Sequence, residues 1–199
     1  ARLAFGVPAL YGRLRDTRRG DVARGLDPDV AVMLAAGELI GQTAVVARSA
    51  AFERRELAIS VGMADEAPGG KVEVRDLRVP GAAGMLGARL YAPRGLPSPS
   101  PGVVFVHGGG WVTGDLDTHD GLCRRLALTG GLRVLAVDVR LAPEHPFPAP
   151  VEDSIAAFRF VASRARELGF DPERLGIAGD SAGGNLSAVV SLETRADPV

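Results

Sequence analysis

The sequence lacks residues that several functional classes require. It has one cysteine, Cys123, so no intramolecular disulfide can form, and a lone thiol fits a reducing compartment. Its only lysine is Lys71, far from any candidate turn, which excludes a phosphate-binding loop ending in Gly-Lys-Ser or Gly-Lys-Thr. No stretch approaches the ~18 apolar residues of a membrane span. These absences favour a cytoplasmic protein without stable membrane insertion.

The sequence also lacks a large net charge of either sign. The 199 residues carry a formal net charge of -1, so no basic field is available to bind nucleic acid. The apolar start, Ala1 to Tyr11, has arginines after it rather than before it, which is the wrong polarity for a signal peptide. With 46% hydrophobic residues, the chain suits a globular body with one substantial core.

The most informative segment present is Gly179-Asp180-Ser181-Ala182-Gly183, which follows the apolar run 175–178. This pattern predicts a nucleophile elbow, in which a strand enters a sharp turn with the serine at its apex. Small residues flank the serine because the strained turn packs the next helix against the strand. The predicted helix over 185–192 directs its N-terminal dipole at charge that forms near Ser181.

A second motif follows the buried strand predicted over 103–106. It reads His107-Gly108-Gly109-Gly110-Trp111, and its glycines bring backbone N–H groups to the carboxyl end of the strand. Such donors stabilise the negative oxygen that forms when a serine attacks an ester carbonyl. The predicted oxyanion hole comprises the N–H groups of Gly108, Gly109, Gly110 and Ala182.

A dinucleotide-binding loop is the main alternative for the glycine cluster. If Gly108 and Gly110 are the first two glycines of Gly-x-Gly-x-x-Gly, then Thr113 stands where the third should be. No acidic ribose partner follows in a matching βαβ unit. Each motif alone is a weak signal, but their joint presence favours an ester hydrolase.

Two further segments, Gly114 to His119 and Arg140 to Ala149, complete a resemblance to the hormone-sensitive-lipase family, the bacterial family IV esterases of the α/β-hydrolase superfamily. The resemblance covers about residues 26–192, with one departure at Val139, where a tyrosine is common. It implies the α/β-hydrolase fold, a mostly parallel sheet flanked by helices. It also implies a serine carboxylesterase that needs no metal or organic cofactor.

The resemblance implies an acyl-enzyme on Ser181 and, as substrate, a small acyl ester of short to medium chain length. His107, Trp111, Asp180, Gly179 and Gly183 are then supporting residues of the two motifs. A non-catalytic small-ligand receptor on the same fold, as in the gibberellin receptors that resemble this family, stays open as the alternative.

Two domains are predicted, with a boundary near Pro68-Gly69-Gly70. Residues 1–68 form an N-terminal helical cap segment, in which Asp27 can cap a helix that begins at Pro28. Residues 69–199 form an incomplete α/β-hydrolase core, with an antiparallel strand pair at 71–75 and 86–91. Strands and helices then alternate, including a strand over 132–139 and a helix over 151–168.

The triad base is missing from the sequence. No histidine follows Ser181, although in this fold the acid and then the histidine come after the serine. His107, His119 and His145 all lie upstream and are interpreted as structural. We therefore expect a C-terminally truncated chain that is inactive alone; a fragment and a genuine short product both stay open. The elbow strand becomes a sheet edge that favours self-association or a homo-oligomer.

Overall fold

The computed structural model describes residues 8–39, 49–64, 68 and 70–197. Two compact units divide the chain, and we call Ala1–Ser49 the N-terminal unit and Ala50–Val199 the C-terminal unit. The domain boundary predicted near residue 68 stays a prediction. Residues 1–7, from the apolar start, and Gly69, from the predicted boundary, lie outside the described residues.

The N-terminal unit contains three described helices. The Asp27 carboxylate accepts hydrogen bonds from the backbone N–H groups of Asp29 at 2.8 Å and Val30 at 3.3 Å. These bonds satisfy donors that the first turn of a helix leaves free, which confirms the helix start predicted at Pro28. A small apolar cluster of Leu14, Val32 and Ala35 packs within this unit. The helices are α1 (Pro8–Thr17), α2 (Arg19–Ala23) and α3 (Pro28–Leu39).

The C-terminal unit consists of a five-stranded sheet and four helices among its described residues. Its strands are β1 (Val72–Pro80), β2 (Met85–Pro93), β3 (Ser100–Val106), β4 (Arg133–Val137) and β5 (Phe170–Gly179). Its helices are α4 (Ala50–Ala64), α5 (Asp120–Gly130), α6 (Ala149–Ser163) and α7 (Ala182–Thr194).

The strand order is β1-β2-β4-β3-β5. The β1–β2 and β2–β4 pairs are antiparallel, whereas the β4–β3 and β3–β5 pairs are parallel. Only β2 therefore runs against the other strands, which confirms the prediction of a mostly parallel sheet. The elbow strand β5 is an edge strand of the sheet that the described residues form, as predicted. Self-association through it stays a prediction.

Helices cover both faces of the sheet because side chains alternate along each strand. In β3, Val104 and Val106 pack in one apolar cluster with residues of α6 and α7, whereas Phe105 packs in the other with residues of α5. Cys123 of α5 is fully buried in that second cluster. Burial raises the pKa of its thiol to about 12, so Cys123 is an inert core residue.

The parallel pairing of β3 and β5 places the two predicted motifs side by side. Val106, the last residue of β3, is the register partner of Gly179, the last residue of β5. His107 and Asp180 therefore leave the sheet at neighbouring positions of the same edge. Ligands of open α/β sheets bind beyond this edge.

Two predicted elements are longer than the observed ones. The strand predicted over 132–139 is confined to Arg133–Val137. Asp138 still donates its N–H to Gly87 of β2, whereas the N–H of Arg140 donates to the Asp153 carboxylate instead of to a strand. The helix predicted over 151–168 begins earlier and ends at Ser163, and turns continue to Gly169 at φ +86°. The apolar spacing did not mark this helix end because Ala165 and Leu168 remain packed in the core. No described helix has both the length and the apolarity needed to cross a bilayer.

Candidate active site

Ser181 lies at the apex of a strained turn. β5 ends at Gly179 and α7 begins at Ala182, so only Asp180 and Ser181 form the connection. Ser181 has φ +49° and ψ -117°, a conformation that residues other than glycine rarely adopt. The residue is exposed, so its hydroxyl is accessible where α7 begins. The turn has the geometry predicted from the sequence, while its nucleophilic role stays a prediction.

Backbone crowding explains both glycines of the turn. A Cβ atom at Gly179 would lie 2.4 Å from the carbonyl oxygen of Val106. A Cβ atom at Gly183 would lie only 1.9 Å from the same oxygen and 2.7 Å from that of His107. Contacts this short are sterically forbidden, so the close approach of α7 to β3 requires both glycines.

The glycine loop has three consecutive residues in the left-handed region. Gly109, Gly110 and Trp111 have φ values of +121°, +61° and +61°. The carbonyl oxygen of Gly109 accepts hydrogen bonds from the N–H groups of Val112 at 3.1 Å and Thr113 at 2.9 Å, which close a tight turn. A Cβ atom at Gly109 would lie 2.1 Å from the carbonyl oxygen of Thr113, so this position also requires glycine.

Asp180 joins the elbow to the glycine loop. Its Oδ1 accepts a hydrogen bond from the Gly108 N–H at 2.8 Å. The Gly108 N–H is thus engaged with a carboxylate, which differs from the prediction that it forms part of the oxyanion hole. Gly108 therefore fixes the loop against Asp180, and the oxyanion role of the predicted donors stays a prediction.

The N–H groups that remain are those of Gly109, Gly110 and Ala182. Among the described residues, neither Gly109 nor Gly110 donates its N–H to another group. Ala182 is the first residue of α7, so its N–H has no acceptor within the helix. Free N–H groups on either side of an exposed serine can bind an oxygen that develops negative charge.

His107 is a buried brace of the glycine loop. Its Nδ1 lies 2.8 Å from the Gly108 carbonyl oxygen, and because a carbonyl only accepts, Nδ1 carries the proton. Its Nε2 is buried without a hydrogen bond and lies 3.9 Å from Asp138 Oδ1. Burial lowers the pKa of His107, so the ring is neutral near pH 7.

His119 lies on the other side of Asp180. Its Nε2 is 3.4 Å from Asp180 Oδ1, and its ring centroid is 5.4 Å from that of His107. His145 is exposed, and its N–H bonds to Leu141. Within the described part of the chain, none of the three histidines forms a hydrogen bond or ion pair with Ser181. The structural role interpreted for these histidines stays a prediction.

Sequence reasoning missed two contacts of the loop. The bridge between Asp180 and Gly108 joins residues 72 positions apart, and no local pattern indicates such a contact. Arg54 of α4 is the second, since it donates to the carbonyl oxygen of Val112 at 2.8 Å.

The titratable side chains of the described residues form no cluster with metal-ligand chemistry. No group of three or more histidine, cysteine or acidic side chains is close enough there to bind a metal ion. The acidic residue nearest the end of the described chain, Asp197, is paired with Arg159 at 2.7 Å. The reactive groups that the turn and the loop bring together are one hydroxyl and the free N–H donors.

Comparisons with known proteins agree with this geometry. The family model described as alpha/beta hydrolase fold matches residues 103–198, which include both motifs. The carboxylic ester hydrolase LipN of Mycobacterium tuberculosis is 42% identical over 192 residues, which cover 95% of this chain and 51% of LipN. The ethyl acetate hydrolase of Pseudomonas putida is 36% identical over 185 residues, or 86% of this chain and 56% of that protein.

A solved esterase structure is also similar to this chain. The esterase of Pyrobaculum calidifontis superimposes with a TM-score of 0.69 at 40% sequence identity, over 79% of this chain and 51% of that one. The chain spans about half the length of the curated relatives it matches.

Proposed function

We propose that this chain, which belongs to the hormone-sensitive-lipase family of the α/β-hydrolase superfamily, is the nucleophile-bearing part of a carboxylic ester hydrolase. One observation carries the proposal: Ser181 stands exposed in a strained turn at the sheet edge where the glycine loop also begins. The N–H groups of Gly109 and Gly110, which have no acceptor among the described residues, lie in that loop. Esterase relatives at 36% to 42% identity support the same assignment.

The proposed reaction proceeds through an acyl-enzyme. Ser181 Oγ attacks the ester carbonyl carbon, and the carbonyl oxygen becomes an oxyanion that the N–H groups of Gly109, Gly110 and Ala182 stabilise. Collapse of the tetrahedral species breaks the bond to the alkoxy group, which leaves as the alcohol after it takes a proton. Water then attacks the acyl group and releases the acid and the free serine.

The proton transfers need a general base, and we assign that role to a histidine outside this sequence. His107 and His119 are held by Gly108 and Asp180, and the described structure shows no contact from either to Ser181. The acid that orients the base is assigned to the same missing part. The elbow and the loop supply the nucleophile and the charge stabilisation.

Short- to medium-chain acyl esters are the proposed substrates. Two relatives bear the names ethyl acetate hydrolase and acetyl esterase, which both refer to the two-carbon acetyl group. Neither the glycine loop nor the elbow contains a lysine or arginine that would bind an anionic substrate, so an uncharged ester suits the site.

The experiment uses the complete gene product that contains this chain and a chromogenic short-chain ester. We expect Ser181→Ala to lower turnover by several orders of magnitude, since removal of a triad serine elsewhere costs about 10⁶-fold. Ser191→Ala, on the exposed side of the same helix α7, is the matched control and should retain full turnover. Turnover that survives Ser181→Ala, or ester binding without turnover in the unaltered protein, contradicts the proposal.

A further inference from the structure

Arg54 of α4 contacts two loops at once. Its Nε donates to the carbonyl oxygen of Val112 at 2.8 Å, and its Nη2 donates to that of Ala142 at 3.0 Å. Nη1 and Nη2 also donate to the two carboxylate oxygens of Glu144 at 2.8 Å and 2.7 Å. One planar guanidinium thus makes four hydrogen bonds, an arrangement that a lysine ammonium cannot reproduce.

The two loops are also bonded to each other. The N–H of Ala142 donates to the carbonyl oxygen of Trp111 at 2.8 Å. Val112 belongs to the turn that closes on the Gly109 carbonyl oxygen, so Arg54 contacts the residue directly after the strained part of the glycine loop. The loop is therefore held from the side of α4, in addition to its contact with Asp180.

The loop conformation needs such external contacts. Trp111 has φ +61° without being a glycine, and Gly109 and Gly110 before it are also left-handed. A left-handed residue other than glycine is strained and persists only where its surroundings enforce it. The hydrogen bonds that Arg54 and Ala142 make with Val112 and Trp111 hold the loop in this conformation.

We propose that Arg54 is a positioning residue for the oxyanion donors of Gly109 and Gly110. It acts through the carbonyl oxygens of Val112 and Ala142, and the ion pair with Glu144 serves to orient the guanidinium. Both partners of that pair are partly exposed, at 34% and 54% of their side chains, so the pair alone contributes little to stability. The inference rests on the proposed function, because the N–H groups of Gly109 and Gly110 act as oxyanion donors only in an ester hydrolase.

The test compares three variants of the complete gene product. Arg54→Ala and Arg54→Lys should each lower kcat with little change in KM, by about ten- to a hundredfold, because a displacement of about 1 Å in the donors costs this much. Glu144→Gln should keep kcat within about threefold, since both carbonyl contacts remain. Arg55→Ala, at an exposed neighbouring position of the same helix, is the matched control and should leave kcat unchanged.

A second measurement reports on the loop without turnover. The amides of Val112 and Thr113 both donate to Gly109, so their hydrogen exchange measures how often this turn opens. We expect exchange at these two amides to rise at least about tenfold in Arg54→Ala and not in Arg55→Ala. If Ser181 proves not to be the nucleophile, the proposed function fails, while the exchange result still decides whether Arg54 holds the loop.

Two outcomes overturn the inference. The first is full activity in Arg54→Lys together with a loss in Glu144→Gln, which would show that the ion pair alone matters. The second is unchanged exchange at Val112 and Thr113 in Arg54→Ala. Circular dichroism and the midpoint of thermal unfolding identify a variant that fails to fold, and Arg54→Lys then replaces Arg54→Ala in the exchange experiment.

Discussion

The backbone N–H of Gly108 donates to Asp180 Oδ1 at 2.8 Å, so the residue before the proposed nucleophile holds the loop that carries the proposed oxyanion donors. A Cβ atom at Gly108 would lie 2.2 Å from Asp180 Oδ2 and 2.9 Å from the backbone carbonyl oxygen of Asp180, and the backbone contact explains why this close approach needs glycine. The geometry of the serine and that of the donors are therefore linked by one hydrogen bond across the sheet edge.

Removal of this hydrogen bond should reduce catalysis. We expect Asp180→Ala to lower kcat by about ten- to a hundredfold, because the loop loses its anchor and the donors shift. Asp180→Asn keeps an oxygen acceptor for the Gly108 N–H and should retain activity within about fivefold. Steady-state kinetics of both variants give the comparison, and equal losses in the two would indicate that the negative charge, not the hydrogen bond, is what matters.

Substitution of Gly109 should affect the transition state more than binding. A side chain there would meet the Thr113 carbonyl oxygen at 2.1 Å, and φ +121° disfavours any L-residue. We expect Gly109→Val to lower kcat by about 10²- to 10³-fold with a smaller change in KM, since the oxyanion exists only in the transition state.

The matched control for this variant is Gly62→Ala. Gly62 lies in helix α4, and no atom is within 4 Å of a Cβ built on it. This substitution should leave kcat intact and stabilise the helix by about 0.5 to 1 kcal/mol. A KM effect that exceeds the kcat effect in Gly109→Val would instead assign the loop to ground-state binding.

A third prediction concerns the packing of α7. Gly183→Ala should lower the free energy of unfolding by about 1 to 3 kcal/mol, because its Cβ would overlap the Val106 carbonyl oxygen at 1.9 Å. At Gly184 the nearest atom lies at 3.2 Å, so Gly184→Ala should cost far less. Urea denaturation of the two variants tests the difference, and similar midpoints would disprove the close approach of α7 and β3.

A fourth prediction concerns the pH dependence of stability. Burial holds the folded-state pKa of His107 below its usual value of 6.5. The unfolded chain therefore binds the proton more readily than the folded chain. The stability that neutral His107 contributes is present above pH 6.5 and is lost as the pH falls from 6.5 through the lower folded-state pKa. We expect His107→Asn, which retains a donor near the Gly108 carbonyl, to lose less stability between about pH 8 and pH 5 than the unaltered protein.

The control for the pH experiment is His145→Gln, since His145 is exposed. Its stability should follow that of the unaltered protein over the same pH range. An identical pH profile for His107→Asn and the unaltered protein would show that folding does not lower the pKa of His107.

Much of the fold could be predicted because local chemistry determines it. The capping of α3 by Asp27, the strand pair at β1 and β2, and the turn around Ser181 all depend on residues close together in the sequence. The early end of α6 was not predicted because Ala165 and Leu168 continue the apolar pattern beyond Ser163.

The site was predicted in its parts but not in its connections. The glycines of both motifs indicate tight backbone approach, and the contacts of Gly179 and Gly183 confirm it. The engagement of Gly108 with Asp180 and the contacts of Arg54 with Val112 join segments 72 and 58 residues apart. Such pairs follow from the register of β3 against β5 and from the position of α4, neither of which a single motif contains.

The most direct test of the central claim is to identify the residue that a p-nitrophenyl alkylphosphonate modifies in the complete gene product. Attack by the nucleophile forms an oxygen–phosphorus bond and releases p-nitrophenolate, which leaves a stable adduct on the attacking oxygen. Trypsin cleaves after Arg174 and Arg195, so one peptide carries Ser181 together with Ser187 and Ser191. Our account predicts a single adduct that tandem mass spectrometry places on Ser181 and that disappears in Ser181→Ala. An adduct on any other residue, or none while ester turnover continues, would contradict it.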